Sequence, residues 1–194
     1  GLTGNERVLD AYCGIGTIGL IASRDAREVI SVELNPDAVR DAVTNAKRNQ
    51  IKNVSFYQND AGAFMVSMAE KGEKADIVFM DPPRAGSDEA FLSSVVTLSP
   101  KKVVYVSCNP ETLARDLRYL TKHGYKAEEA WGYDMFAWSE HVESIVLLSK
   151  LKSNKLKHIN VELEMDELDL MAAESKAIYA EVKDYVSEAK RIES

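Results

Sequence analysis

The chain has 194 residues, a formal net charge of −7, 45% hydrophobic residues and 28% charged residues. This balance is typical of a soluble globular domain with an appendage, and no stretch is apolar for long enough to span a membrane. Two cysteines, Cys13 and Cys108, are too few for a disulfide framework or a four-cysteine metal site. The negative charge argues against binding of nucleic acid over a wide surface by this chain alone, but it does not exclude a local basic patch.

Strand-like and helix-like segments alternate through the first 150 residues. Strands are predicted at residues 7–12, 28–34, 54–59, 76–80 and 102–107, and helices at 17–23, 36–49, 61–71, 88–98 and 111–123. Two more strands, at 126–133 and 141–148, have no helix between them. The pattern predicts an α/β fold, a doubly wound and mostly parallel seven-stranded sheet with one antiparallel strand. Such sheets bind ligands at the carboxyl ends of their strands.

The pattern changes beyond Leu151. Residues 159–165 alternate apolar and polar side chains like a half-buried strand, and residues 171–189 carry an amphipathic helical stripe. We expect residues 1–150 to form one domain and residues 151–194 a C-terminal appendage that packs against it, or alternatively a partner-binding helix. The start of the chain lacks Met and any signal-peptide pattern, which favours a cytoplasmic protein of which this chain is a fragment.

A G-x-G-x-x-G motif, residues 14–19, lies between the first strand and its helix. Its glycines allow a tight turn and a close approach of the backbone to a ligand. Glu33 ends the next strand, where a carboxylate could accept hydrogen bonds from ribose hydroxyls. The motif predicts a nucleotide-type cofactor, either a nicotinamide dinucleotide or S-adenosylmethionine. Asp10 on the first strand favours the second, because it would repel a pyrophosphate and attract a cationic ligand.

Two further aspartates follow predicted strands. Asp60 either accepts a hydrogen bond from an adenine amino group or caps the next helix. Asp81 begins an Asp-Pro-Pro-Arg run, residues 81–84, and the two prolines make a rigid exit from the strand. A carboxylate held in this way can orient a cofactor or a substrate, so Asp81 is a candidate site residue.

Cys108 ends an apolar strand, and Asn109 and Pro110 then signal the start of a helix. The positive end of that helix favours a thiolate, which makes Cys108 a candidate nucleophile; the alternative is a buried structural cysteine. Glu143 lies at the beginning of the last apolar strand. A carboxylate there is costly unless it is paired, catalytic or exposed, so its role remains open between structure and function.

Together these motifs resemble the RNA uracil-5-methyltransferase family, which depends on S-adenosylmethionine. The resemblance covers about residues 1–150 and is carried by residues 10–17, 81–84, 106–110 and 141–143, in the order the family has them. Among family members, the chain is most similar to the bacterial 23S ribosomal RNA uracil-5 enzymes. The resemblance implies a class I, Rossmann-like methyltransferase fold.

The resemblance also implies roles for individual residues. Cys108 would be the nucleophile and Glu143 the general base. The residues around S-adenosylmethionine would be Tyr12, Gly14, Gly16, Thr17, Glu33, Asp60 and Asp81. The substrate would be RNA, ribosomal rather than transfer RNA. Independently of the resemblance, the spacing of the His, Cys, Asp and Glu residues predicts no metal site. The RNA-binding barrel and the cofactor-binding Gln that members carry upstream are absent from the chain.

Several alternatives stay open at this point. Asp-Pro-Pro motifs also occur in methyltransferases that act on exocyclic amines, which need no thiol. Cytosine-5 RNA enzymes carry a second Cys near the fourth strand, and this chain has none there. A nicotinamide-dependent oxidoreductase would use the same glycines and Glu33. A binding module without catalytic activity could keep the same fold.

Overall fold

The computed structural model describes residues 1–135, 138 and 142–151. Its elements are β1 (Arg7–Ala11), α1 (Thr17–Ala22), β2 (Glu28–Glu33), α2 (Pro36–Arg48), β3 (Val54–Gln58), α3 (Ala61–Glu70), β4 (Ile77–Met80), α4 (Glu89–Leu98), β5 (Lys102–Ser107), α5 (Pro110–Lys122), β6 (Tyr125–Tyr133) and β7 (Glu143–Lys150). Each element predicted within residues 1–150 is present, with ends that differ by up to two residues. His141 and the strand and helix expected beyond residue 151 lie outside the described residues.

The strands form one seven-stranded sheet in the order β3-β2-β1-β4-β5-β7-β6. Neighbours from β3 to β5 are parallel, whereas β7 is antiparallel to both β5 and β6. The doubly wound sheet with one antiparallel strand is therefore confirmed. Strand order reverses between β1 and β4, which is where sheets of this kind open a crevice for ligands.

Helices pack on both faces of the sheet. The main apolar core lies between the strands and α3, α4 and α5, and it includes Leu9, Val78, Val103 and Leu148. On the opposite face, α1 packs closely on β2. A Cβ on Gly19 would lie only 3.3 Å from a methyl group of Val29. This two-sided packing buries the central strands and leaves their carboxyl ends at one edge, where the motif residues collect.

Candidate functional site

The glycine turn after β1 is fastened to the end of β2 by Glu33. Gly14 N–H donates to Glu33 Oε2 at 3.0 Å, and Asn35 N–H donates to Oε1 at 2.8 Å. Tyr12 and Gly14 both adopt positive φ angles, of 62° and 53°, so the chain turns sharply here. Each Glu33 oxygen keeps a further lone pair, and the carboxylate can therefore still accept hydrogen bonds from ribose hydroxyls.

The glycines of the motif have different surroundings. A Cβ on Gly14 would meet nothing within 4 Å, so this position borders open space. A Cβ on Gly16 would lie 3.1 Å from Phe56 Cε1 and 3.2 Å from Ala42 Cβ. Gly16 thus allows the turn to pack against α2 and β3, while the exposed Thr17 begins α1 beside it. Of these predicted cofactor residues, Gly14 and Thr17 border solvent and Gly16 is buried.

Asp10 lies beneath α1 and does not face a ligand, contrary to its interpretation from the sequence. Its side chain is fully buried, and Oδ2 accepts a hydrogen bond from Gly19 N–H at 2.8 Å. Burial raises the pKa of Asp10 to about 7, the charges of Asp81 and Glu33 add to the increase, and the Gly19 hydrogen bond opposes it. Asp10 therefore holds the first helix against the sheet.

The two cysteines differ in environment. Cys13 is buried in the glycine turn, and burial raises the pKa of its thiol to about 12, with further contributions from Asp10 and Glu33. Cys13 is consequently a neutral thiol near pH 7. Cys108 is only partly buried, so its thiol is not enclosed in the apolar interior.

Tyr12 follows β1 and Asp60 follows β3, so both lie at the carboxyl edge on the same side of the crevice. The half-buried ring of Tyr12 packs against Phe91, with 4.8 Å between ring centroids, and burial raises the pKa of Tyr12 to about 12. Asp60 is exposed and caps α3, since its Oδ1 accepts a hydrogen bond from Ala63 N–H at 2.8 Å. The helix-capping alternative for Asp60 is thus realised, and its outer oxygen stays open to solvent.

Asp81 and Glu143 are two carboxyl groups at the carboxyl edge of the sheet. Asp81 directly follows β4, and desolvation raises the pKa of its carboxyl even though part of the side chain is open to solvent. Glu143 begins β7 and is half-buried. Desolvation chiefly, and then the charge of Asp81, raise the pKa of Glu143. A carboxyl with a raised pKa is a stronger base than an ordinary glutamate.

The register of β5 and β7 brings Cys108 towards Glu143. The last pair of this antiparallel ladder is Ser107 with Ser144. Cys108 directly follows this pair on the β5 side, and Glu143 directly precedes it on β7. The two candidate catalytic residues, 35 positions apart in the sequence, therefore both adjoin the same end of the β5–β7 ladder.

The start of α5 follows the sequence prediction closely. Asn109 caps the helix by accepting a hydrogen bond from Glu111 N–H at 3.0 Å, and Pro110 is its first residue. Asn109 Nδ2 also donates to the carbonyl of Arg84 at 3.2 Å, and Thr112 Oγ1 donates to the same oxygen at 3.3 Å. These contacts join the Asp-Pro-Pro-Arg segment to the helix behind Cys108.

Sequence reasoning missed one buried charge near the site. Asp116 is fully buried on the inner side of α5, between the core residues Leu113 and Leu120. Its only sequence signal is an acidic residue at a helical position that otherwise faces the core.

The strand order fixes how the candidate residues are distributed. From β2 to β7 the carboxyl edge presents Glu33, Tyr12, Asp81, Cys108 and Glu143 in turn. Neighbouring strands are about 4.8 Å apart, so Cys108 lies roughly 10 Å across the edge from the end of β1. A molecule bound along this edge would have to span about this distance to reach from the glycine turn to Cys108.

Among the described residues, no group of three or more His, Cys, Asp or Glu side chains could hold a metal ion. The same residues contain no helix with the length and apolar character needed to cross a membrane.

The sequence model of the tRNA (uracil-5-)-methyltransferase family matches residues 3–151. The chain belongs to this family. An uncharacterized RNA methyltransferase of Halalkalibacterium halodurans is 48% identical over 147 residues, which cover 76% of this chain and 32% of that protein. One from Enterococcus faecalis is 47% identical over 149 residues, 77% of this chain and 33% of its own length. The chain thus spans about a third of the length of each of these two relatives.

A solved structure from the same family has a similar fold. The tRNA (uracil-54, C5)-methyltransferase of Pyrococcus abyssi, in complex with S-adenosyl-L-homocysteine, superposes with a TM-score of 0.66 and 33% identity. The match covers 76% of this chain and 35% of that one. The resemblance to RNA uracil-5-methyltransferases and the Rossmann-like fold are therefore confirmed, and the family match favours methyl transfer over the nicotinamide-dependent alternative.

Proposed function

We propose that the chain transfers a methyl group from S-adenosylmethionine to C5 of a uridine in RNA, through a covalent bond between Cys108 and C6 of the base. The observation that carries this proposal is that Cys108 and Glu143 both adjoin the last β5–β7 pair at the carboxyl edge of the sheet. The chemistry needs one thiol and one carboxylate near a bound methyl donor, and this edge offers both.

The residues present fit S-adenosylmethionine. The open space at Gly14 accommodates a ligand against the backbone, and Glu33 is able to accept hydrogen bonds from ribose hydroxyls. Asp60 offers an acceptor to an adenine amino group. Asp81 places a carboxylate in the crevice, where it suits the positive charge of the donor. The relative from Pyrococcus abyssi, crystallised with S-adenosyl-L-homocysteine, supports the same cofactor.

The mechanism starts at Cys108. Uracil C5 is a poor nucleophile, and attack of the Cys108 thiolate on C6 forms an S–C6 bond and places electron density on C5 and O4. S-adenosylmethionine, when bound, would supply an electrophilic methyl group to C5 and would leave as S-adenosylhomocysteine. The Glu143 carboxylate removes the C5 proton, the S–C6 bond breaks, and the thiolate is released. In a folded RNA the target uridine has to be unstacked to reach Cys108.

The resemblance to bacterial 23S ribosomal RNA enzymes favours ribosomal RNA as the substrate. The family description and the Pyrococcus abyssi relative name tRNA, which makes transfer RNA the second candidate. Either RNA would have to present the target uridine unstacked, so the choice depends on RNA contacts outside the catalytic pair.

The test uses unmodified transcripts of 23S ribosomal RNA and of tRNA with labelled S-adenosylmethionine. We expect the wild type to form 5-methyluridine and Cys108→Ala to lose at least about 1,000-fold in rate, because the nucleophile is gone. Glu143→Gln is expected to accumulate a protein–RNA adduct that survives denaturation, since release requires removal of the C5 proton.

Cys13→Ala is the matched control, because the buried neutral thiol of Cys13 has no part in the reaction. It should retain transfer activity. Methylation by Cys108→Ala at the wild-type rate would contradict the mechanism and favour an exocyclic amine as the acceptor. Product on the tRNA transcript alone would replace the ribosomal substrate with transfer RNA.

A further inference from the structure

A buried carboxylate joins two segments that each carry a candidate site residue. Asp116 on α5 is fully buried. Its Oδ2 accepts hydrogen bonds from Tyr105 Oη at 2.6 Å and Ser87 N–H at 2.7 Å, and its Oδ1 accepts one from Arg115 Nε at 2.8 Å. A buried charge is costly unless it is hydrogen-bonded, and here both oxygens are satisfied.

The loop after Asp81 lies directly on this carboxylate. Arg115 Nη2 donates to the carbonyls of Ala85 and Ser87 at 3.1 and 2.8 Å. Gly86 has a φ of +75°, and a Cβ there would lie 2.7 Å from Arg115 Nη2 and 2.8 Å from Asp116 Oδ2. The loop therefore approaches α5 as closely as a backbone without a side chain permits.

Both segments that meet at Asp116 begin next to a residue of the proposed reaction centre. The loop begins at Asp81, and α5 begins at Pro110, directly after Cys108 and the helix cap Asn109. The hydrogen bonds from Asn109 and Thr112 to Arg84 make a second link at the near end of the same helix. Asp116 thus completes a two-point attachment between the loop and the helix.

We propose that Asp116 is a positioning residue that fixes the Asp81 loop relative to Cys108, and so sets the distance between the thiol and the methyl donor. The inference rests on the proposed function, because it assigns Asp81 to the cofactor and Cys108 to the base. Burial, reinforced by Asp116, raises the pKa of Tyr105, which therefore remains a donor to the carboxylate throughout the working pH range.

The kinetic test compares Asp116→Asn with Asp76→Asn. Asp76 is a matched control, since both of its oxygens also accept hydrogen bonds, from Arg7 N–H at 2.9 Å and Lys101 Nζ at 2.8 Å, but at the amino ends of the strands. We expect Asp116→Asn to lower kcat about 10- to 100-fold with the KM for S-adenosylmethionine changed by less than about threefold. Asp76→Asn should lose stability with kcat unchanged.

Tyr105→Phe removes a single donor to Asp116 and guards against a variant that fails to fold. It should lower kcat in the same direction as Asp116→Asn, by about three- to tenfold, at temperatures where both proteins are folded. A drop in melting temperature shared by all three variants, with unchanged kcat per folded molecule, would show that Asp116 acts on stability alone and would overturn the proposal.

A second measurement needs no RNA. The rate at which iodoacetamide alkylates Cys108, mapped by mass spectrometry, reports the surroundings of the thiol at the start of α5. We expect the alkylation rate of Cys108 to change at least about threefold in Asp116→Asn and to stay unchanged in Asp76→Asn. Equal rates in both would refute the positioning role. If the wild type methylated neither transcript, the proposed function would fail, while the alkylation rates would still decide whether Asp116 positions Cys108.

Discussion

At the scale of single residues, neighbouring carboxyl groups differ because of what covers them. Glu33 is partly exposed and accepts two backbone N–H groups, whereas Asp10 is fully buried and accepts one. The second oxygen of Asp10, Oδ1, is buried without a hydrogen-bond partner. A carboxyl group in that position is more stable when it carries a proton.

Asp10 should make stability fall as pH rises towards neutrality. Its pKa rises from 3.8 to about 7 on folding, so the folded chain holds the proton more tightly than the unfolded chain does. The stabilisation is complete below about pH 4 and is lost as pH rises through about 7. Urea unfolding measures this effect as the difference in free energy of unfolding between Asp10→Asn and the wild type. At about 1.4 kcal/mol per pKa unit, this difference should shift in favour of Asp10→Asn by up to about 4 kcal/mol between pH 4 and pH 8.

Asp76 should make stability depend on pH in the opposite direction, and Asp76→Asn tests this. The hydrogen bond and charge of Lys101 and the hydrogen bond from Arg7 N–H lower the pKa of Asp76, so its contribution is present near pH 7 and lost on acidification. The loss of stability in Asp76→Asn relative to the wild type should therefore become smaller as pH falls.

For Asp10, a stability difference between Asp10→Asn and the wild type that does not change with pH would contradict the prediction. It would mean that Asp10 is already ionised in the folded chain.

At the scale of elements, local signals placed the helix ends well. Asn35 and Asn109 each accept a hydrogen bond from the second helical N–H, and a proline follows each of them. Asp60 and Asp88 cap α3 and α4 in a similar way. These ends were predictable because a cap needs only residues within one turn of each other.

The glycine turn requires separate tests for packing and for ligand access. Gly16→Ala should lose about 2 kcal/mol in urea unfolding, because its Cβ would press on Phe56 and Ala42 at a φ of +88°. Gly14→Ala shares the positive φ but meets no neighbour, so it should lose about 1 kcal/mol.

Calorimetry with S-adenosyl-L-homocysteine should show the reverse order. A methyl group at Gly14 projects into the open space proposed for the cofactor, so Gly14→Ala should weaken binding more than Gly16→Ala does at equal folded fraction. Equal affinities for the two variants would place the cofactor away from Gly14.

At the scale of the whole molecule, all seven strands of the described sheet lie before residue 152. The last strand, β7, pairs with both β5 and β6, and Leu151 N–H donates to the carbonyl of Gly124 at 2.9 Å. We propose accordingly that residues 1–151 are an independent folding unit and that residues 152–194 form a separate appendage.

Truncation tests this division. A chain that ends at residue 151 should unfold cooperatively, with a melting temperature within about 5 °C of the full chain, because every strand and its partners are retained. A chain that ends at residue 142 lacks β7 and should fail to fold, since β6 would lose its only pairing among the described strands. Loss of cooperative unfolding in the 1–151 chain would show that the C-terminal segment belongs to the same unit.

The sequence alone determined the elements, the fold class and the family, because hydrophobic periodicity, helix caps and short motifs are written in residues that are close along the chain. It also named Cys108 as a candidate nucleophile from its position before a helix start, and resemblance to known enzymes implied the catalytic roles of Cys108 and Glu143. Only the tertiary structure set these two residues beside the same strand pair, buried Asp10 under α1 and joined the Asp81 loop to α5 through Asp116. Those relations depend on strand register and on side chains far apart in sequence, and a local pattern cannot encode them.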